Sequence, residues 1–321
     1  MATYKDIKGT SIEVVSSDPS NPVLGQIWYN TTSQTLKGLG VSSVGAWSTG
    51  GSLGTGKYNT AGCGTQTAGL AFGGEPDQDS TEEYDGSSWT AGGNLTTARD
   101  ALAGAGTQTA GLAFGGKTPP ATTAATEEYN GSSWTNGGNL TTARFFLAGA
   151  GTQTAGLAFG GEAGPQSAAT EEYGGTSWTN GGNMGTAREA LAAAGTQTAG
   201  LAIGGSPGGS NETNASEEYN GTAWTAGGTM NSAIRYLAGA GTQTAALSFG
   251  GLGSGVPAQT EEYDGSSWTT GANLNSARLR LAGFGTQSAA LAAGGSPGAN
   301  NSVTEEFNGA GSPTTVTLSG S

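Results

Sequence analysis

Apolar and small residues recur along this chain in one fixed order. Residues 101–135 read ALAGAGTQTAGLAFGG, then KTPPATTAA, then TEEYNGSSWT. The first run predicts two short strands around a Gly-Thr-Gln turn. Leu112 and Phe114 then lie on one face and Gly111 and Ala113 on the other, because successive strand side chains point to opposite sides. Neither face is polar, which is the pattern of a strand covered on both sides by other sheets. The many alanines and glycines suit inner strands of radially packed sheets, where space is short. Glu127-Glu128-Tyr129 opens a third strand, and Asn130-Gly131 suits the two positive-φ positions of a type I′ turn. Residues 132–135, carrying Trp134, then form a fourth strand, so the unit is an antiparallel meander of four.

The unit repeats. Gly-Thr-Gln begins at Gly64, Gly106, Gly151, Gly195, Gly241 and Gly285, at spacings of 42, 45, 44, 46 and 44 residues. A fixed period of this size marks a repeat architecture. The turn dipeptide returns as Asp85-Gly86, Gly174-Gly175, Asn220-Gly221, Asp264-Gly265 and Asn308-Gly309. With 61 glycines in 321 residues and 11% charged residues, a non-repetitive chain would be read as disordered. Here Leu, Phe or Ile, and Trp stand at constant phases, so stacked neighbours can bury them in a continuous core.

Trp89, Leu95, Arg99, Gly115-Gly116, Tyr129 and Trp134 follow one another as in the kelch motif, which the chain resembles over roughly residues 47 to 309. The Trp-Asp type of repeat has a similar period, but this chain has no histidine and no Trp-Asp dipeptide. The resemblance implies an all-β, six-bladed kelch-like propeller. The terminal units are complementary: Gly45-Ala46-Trp47 matches only a fourth strand, and residues 304–309 match a third with no tryptophan after it. The strand of Trp47 is therefore expected to complete the blade begun by residues 281–295, with residues 314–318 as the alternative donor.

A cation recurs ten residues after the tryptophans of the repeat, at Lys57, Arg99, Arg144, Arg188 and Arg278, and eleven after Trp224, at Arg235. Each repeat also carries a Glu-Glu pair, from Glu82-Glu83 to Glu305-Glu306. Adjacent strand residues face opposite ways, so one glutamate of each pair is expected to meet the cation in an interblade ion pair.

The formal net charge of −13 argues against a nucleic-acid partner. No run is long and apolar enough to span a membrane, and the first ten residues lack the apolar core of a signal peptide. One cysteine, Cys63, excludes an intrachain disulfide. The absence of histidine removes the commonest general base and metal ligand, and copper sites of galactose-oxidase-like kelch enzymes cannot be carried over. Carboxylate pairs can serve a glycosidase, but pairs that recur in every blade fit packing better than a unique active site. Glu75, Asp77 and Asp79 form one non-repeating acidic cluster, for which a solvated loop is the default over a calcium loop. The reading is a binding or structural module without catalytic residues, cofactor or metal.

Variation lies elsewhere. Between the paired glycines and the Glu pair, loops of 7, 10, 9, 11, 9 and 9 residues differ in every repeat and are expected on one face of the ring. A rigid scaffold presenting unlike loops is a recognition design. Its candidate binding residues are Asp77, Asp79, Pro119, Gln166, Asn211, Asn214, Gln259 and Asn300.

Residues 1–40 stand outside the repeat, which leaves 41–321 to the propeller. A strand over residues 26–29 turns through 30–33 into 35–37, a short hairpin arm. The stretch SSDPSNPVLGQIWYNTTSQTLKG resembles the start of virion structural and fibre proteins of marine tailed bacteriophages, which run on into Gly-Thr-Gln-rich kelch-like arrays. That resemblance implies a virion location, with Trp28 and Tyr29 in an attachment segment, other virion proteins as partners, and a host-surface glycan as the finer expectation for the loops. A homo-oligomer is compatible with it. The alternative is a bacterial cell-surface or secreted kelch lectin.

Overall fold

A computed structural model describes residues 12–22, 25–41, 44–75, 79–209, 211–255, 257–296, 298, 300–310 and 313–318. The chain forms two compact units, Ala46–Asn308 and the described parts of Met1–Gly45 with Gly309–Ser321.

Among the described residues of the larger unit there is no helix, and six four-stranded antiparallel sheets form the blades. Blade two, for instance, consists of Ala103–Thr107, Ala110–Phe114, Thr126–Tyr129 and Trp134–Asn136, from the axis outward. The innermost strands of successive blades lie side by side, and that of blade six, Ala282–Thr286, lies beside that of blade one, Ala61–Thr65. The larger unit is a closed six-bladed β-propeller. As the apolar pattern requires, Leu112, Ala113 and Phe114 are all fully buried. Strand glycines make room for the preceding blade: a Cβ on Gly104 would stand 2.6 Å from the Phe72 ring.

Blade six takes its outer strand from the start of the unit. Ala46–Thr49 pairs with Thr304–Asn308, Trp47 opposite Phe307 and Ala46 opposite Asn308. Every blade tryptophan also reaches back one blade through its indole N–H. Trp134 donates to Thr81 at 2.9 Å and Trp178 to Thr126 at 2.9 Å; at the closure Trp47 donates to Thr260 at 3.0 Å and Trp89 to Thr304 at 2.9 Å. Of the two expected donors, the Trp47 strand closes the ring. Pro313–Thr317 pairs instead with Thr35–Val41 in the smaller unit.

The link between third and fourth strands differs from the expected two-residue turn. Tyr129 pairs with Trp134, leaving Asn130 to Ser133 as a four-residue loop in which Gly131 alone takes positive φ (88°). The Asn130 side-chain oxygen accepts from the N–H groups of Ser132 (3.0 Å) and Ser133 (2.9 Å). An Asx-type bond thus replaces the second left-handed residue. Asp85, Asn220 and Asp264 do the same in their blades.

This loop explains a departure at the closure. A Cβ on Gly93 would meet the Ser132 carbonyl at 2.1 Å, so the loop of each next blade demands glycine there. The equivalent residue before blade six is Ala272. It is tolerated because blade six, whose outer strand arrives from elsewhere, has no such loop.

The expected ion pairs form at five positions. Arg144 Nη2 lies 2.9 Å from Glu171 Oε1 with both side chains buried, and Lys57–Glu82 (3.2 Å), Arg99–Glu127 (3.1 Å), Arg188–Glu217 (2.8 Å) and Arg278–Glu305 (3.1 Å) repeat it. In each, the cation sits on the segment entering a blade and the glutamate on that blade's third strand. Burial pulls the guanidinium pKa down, to about 10 for Arg99 and Arg278, and the facing carboxylate opposes this. Arg235 does not belong to this set. It pairs with Glu212 at 3.1 Å, and Ile234, ten residues after Trp224, occupies the position. Glu261 is served there by the N–H groups of Asn231 (2.8 Å) and Ser232 (3.2 Å) and the Asn231 amide (2.9 Å).

The second glutamate of each pair faces the next blade's tyrosine: Glu83 accepts from Tyr129 at 2.5 Å, Glu128 from Tyr173 at 2.5 Å, Glu172 from Tyr219 at 2.5 Å, Glu218 from Tyr263 at 2.6 Å and Glu306 from Tyr84 at 2.5 Å. Burial, then the carboxylate, raises the Tyr129 hydroxyl to about 12. Glu262 is the exception, since Phe307 stands where its tyrosine would be, and burial raises its pKa. Phe307→Tyr is therefore expected to stabilise the protein by about 1 kcal/mol through a hydrogen bond to a charged acceptor, measured as a higher midpoint in chemical unfolding.

Gln of the Gly-Thr-Gln motif has an interblade role as well. Gln153 Nε2 donates to the carbonyls of Gly111 (3.0 Å) and Tyr129 (2.6 Å) in the preceding blade, and all six copies make the equivalent pair of bonds.

The smaller unit is one sheet. Glu13–Val15 runs parallel to Ile27–Asn30, which forms the expected hairpin with Thr35–Val41, and Pro313–Thr317 adds to the other side. Residues 313–317, assigned to the propeller by the repeat boundary, thus pair with the arm. Asp18 gathers the hairpin: Lys37 (2.6 Å), Trp28 Nε1 (3.0 Å) and Asn30 Nδ2 (2.7 Å) converge on it, Lys37 first in effect, and hold its carboxyl at about 2. Trp28 is fully buried and Tyr29 half-buried, so the indole is not an exposed anchor.

Candidate functional site

One position in the propeller combines a constant backbone with changing chemistry. Twelve residues after the six blade tryptophans stand Asn59, Ala101, Phe146, Ala190, Tyr236 and Arg280. All six have left-handed backbones, with φ between 49° and 59°. Each N–H donates to the carbonyl of its counterpart in the preceding blade, over 2.7 to 3.0 Å, and Asn59 closes the circle on Arg280. The result is a hexagon of backbone hydrogen bonds around one mouth of the central channel. A left-handed conformation costs a non-glycine residue about 1 kcal/mol or more. Here each instance is fixed by two hydrogen bonds of the hexagon.

The mouth and the variable loops share a face. The residue before each hexagon member bridges to the residue after the paired glycines, where the loop begins: Tyr58 with Glu75, Asp100 with Lys117, Phe145 with Glu162, Glu189 with Ser206, Arg235 with Leu252 and Leu279 with Ser296. The loops therefore surround a cavity of about 140 Å³ lined by the hexagon and the starts of the six inner strands.

The side chains around it differ between blades, Ala101 and Ala190 excepted. Phe146 and Tyr236 meet edge to face with centroids 5.1 Å apart, and the Arg280 guanidinium lies 4.5 Å from the Tyr236 centroid. Glu75 is taken up by the Tyr58 hydroxyl and by Asn59 Nδ2, the latter at 2.7 Å. Lys117 Nζ sits 3.6 Å over the Phe145 ring. On the opposite arc Glu189 is pushed up to about 7 by burial and then by the adjacent Glu162 carboxyl, with Gln166 and Arg235 opposing. A proton is thus held more tightly in the folded chain than in the unfolded one. The sign is fixed: this group leaves stability untouched below pH about 4.5 and lowers it progressively as pH rises through 7. Glu162→Gln is expected to flatten that decline, measured as the melting temperature between pH 5 and 8.

The sequence-predicted loop residues fall into three groups. Gln166 lies beside Glu189 at the mouth, and Pro119, Asn211 and Asn300 are exposed on the loops. Asn214 donates to the Met230 carbonyl at 3.2 Å, and Gln259 contacts Ser232 and Glu261 at 3.4 Å, so both are tied to the segment that links blades four and five. Asp79 is half-buried, and its carbonyl accepts from Leu95 N at 2.8 Å. Asp77 lies outside the described residues. Among the described residues no three carboxylates or thiols converge as a metal site. The hexagon itself escaped the sequence reading, although a column reading Asn, Ala, Phe, Ala, Tyr, Arg between near-constant neighbours was visible.

No protein-family model matches the chain, and no curated protein matches it. Among solved structures, the one titled "Structure of YjhT", a propeller, superposes with a TM-score of 0.66 at 13% identity, over 80% of this chain and 96% of that one. At that identity the likeness concerns the fold, and the fold it supports is the kelch-like β-propeller.

Proposed function

We propose that the chain is a recognition module, a propeller that presents one asymmetric face to a glycan on a host-cell surface and is carried on a bacteriophage virion among other virion proteins. One observation carries the first half. The backbone, the ion pairs and the tryptophan contacts repeat around the ring, whereas the side chains that differ are concentrated on the hexagon and the loops of a single face. Selection for folding alone has no need of five different residue types at six equivalent strained positions. Aromatic rings beside hydrogen-bonding and charged groups are the groups that hold sugars, by stacking on their apolar faces and bonding their hydroxyls. The virion half rests on the resemblance of the N-terminal stretch.

The test has two arms. Purified chain on a glycan array is expected to bind a restricted set of glycans, and antibodies against it are expected to label intact phage particles in immunogold electron microscopy. Glycan binding without labelled particles leaves a lectin unconnected to a virion, and labelling without glycan binding leaves a structural virion component.

A further inference from the structure

Arg280 is the hexagon's one cation. It is half-buried, stacked at 4.5 Å on Tyr236 and 5.8 Å from both Phe146 and Tyr58, and its Nε is buried with no partner among the described residues. The arginines of the ion-pair positions also leave Nε unpaired, but they give Nη1 and Nη2 to carbonyls and a glutamate. Among the described residues Arg280 makes no ion pair. The other cations of this face are engaged: Arg235 by Glu212 (3.1 Å) and the Gly209 carbonyl (2.7 Å), Lys117 by the Phe145 ring. Glu75, on a neighbouring blade, is turned to Tyr58 and Asn59. In a chain of net charge −13, a guanidinium at a cavity with no ion-pair partner among the described residues offers its donors to an anionic ligand.

We infer that the channel mouth seats a carboxylate-bearing ring, with the carboxylate on Arg280 and the ring against Tyr236 and Phe146. This inference rests on the recognition reading and names its ligand class. A guanidinium offers parallel donors that match a carboxylate bidentately. Arg280 is the one cation lining the cavity and balances a single negative charge, which favours a carboxylate over a phosphate dianion. The cavity of about 140 Å³ is the size that admits one six-membered ring, since an engineered cavity of about 150 Å³ binds benzene. The carboxylate can come from an acidic sugar residue or from a free small acid.

The repeat supplies its own control. Ala101 and Ala190 hold the same left-handed position, so Arg280→Ala is expected to keep the fold and melting temperature. Binding of D-glucuronate, D-glucose and benzoate to the full chain would be followed by calorimetry and saturation-transfer NMR. The expected result is saturable binding of glucuronate, at least tenfold weaker binding of glucose, and at least tenfold loss of glucuronate binding in Arg280→Ala. Benzoate binding as tightly as glucuronate, and lost in Arg280→Ala, keeps the carboxylate seat and assigns it to a free acid. Failure of the wild-type chain to bind either acid, or unchanged binding by Arg280→Ala, overturns the inference. Array binding that survives Arg280→Ala overturns this seat and leaves the recognition reading intact; acid binding at Arg280 with no glycan bound on the array does the reverse.

Discussion

A chain that begins at residue 51 is expected to lose cooperative unfolding, whereas one that begins at residue 46 keeps it. The four residues Ala46–Thr49 are the outer strand of blade six, and nothing else in the described chain occupies that edge. Trp47 is 7% exposed, packs edge to face on Phe249 at 4.9 Å, and bonds Thr260 in blade five. Removing it uncovers Phe307 and opens the only seam in the ring. Truncating a buried tryptophan alone costs about 3–5 kcal/mol. The strand's ladder adds about 1 kcal/mol per hydrogen bond, so the loss is comparable with the whole stability of a domain, about 5–15 kcal/mol. Trp47→Ala in the full chain isolates the side-chain share and is expected to lower the melting temperature by roughly 10 °C. A protein beginning at residue 51 that melted in a single sharp transition at the original temperature would refute this account of closure; the chain beginning at residue 46 also lacks Thr35–Val41, the partner of Pro313–Thr317, and so controls for that loss.

The propeller was legible because its signals are periodic. Tryptophan, paired glycines and Glu-Glu recur often enough that chance is excluded, and incomplete first and last units point to the seam. What the sequence did not reveal depends on contacts between blades. Gln153 looks like a turn residue, and only the curvature of the ring brings it beneath the carbonyls of Gly111 and Tyr129. Asn130-Gly131 satisfies the preferences of a type I′ turn and of the Asx loop alike, and the Tyr129–Trp134 pairing decides between them. Arg235 drew attention by its charge, although strict spacing from Trp224 selects Ile234. The left-handed hexagon had no local signature at all. Alanine and phenylalanine do not favour positive φ, and the conformation is imposed by hydrogen bonds that exist only in the closed ring. The variable loops stand out in the sequence by their differences, but the Asn214 and Gln259 side chains bond the segment that links blades four and five, a contact that no local pattern announces.

The same exception at Ile234 makes the second large effect testable. Arg144 is fully buried, with Glu171 on Nη2 at 2.9 Å and the carbonyls of Gly160 (3.0 Å) and Ala169 (2.7 Å) on Nη1. Replacing it with isoleucine leaves the Glu171 side chain in the interior with one partner among the described residues, Thr141 N at 2.6 Å, and strips two carbonyls of a donor. Breaking a buried pair in this way costs about 3–5 kcal/mol, and the melting temperature is expected to fall by roughly 10 °C. Blade five shows how the same glutamate is accommodated without a cation. Asn231 and Gln259 stand where Thr141 and Ala169 stand in blade three, and Glu261 draws on Asn231 N (2.8 Å) and Nδ2 (2.9 Å), Ser232 N (3.2 Å) and Gln259 Nε2 (3.4 Å). Adding Thr141→Asn and Ala169→Gln to Arg144→Ile is therefore expected to recover more than half of the lost stability. If the ring of ion pairs serves packing, ligand binding at the mouth stays within twofold of wild type in the rescued triple variant. Recovered stability with abolished binding would instead place these buried charges in the recognition function, through the field they impose on the channel.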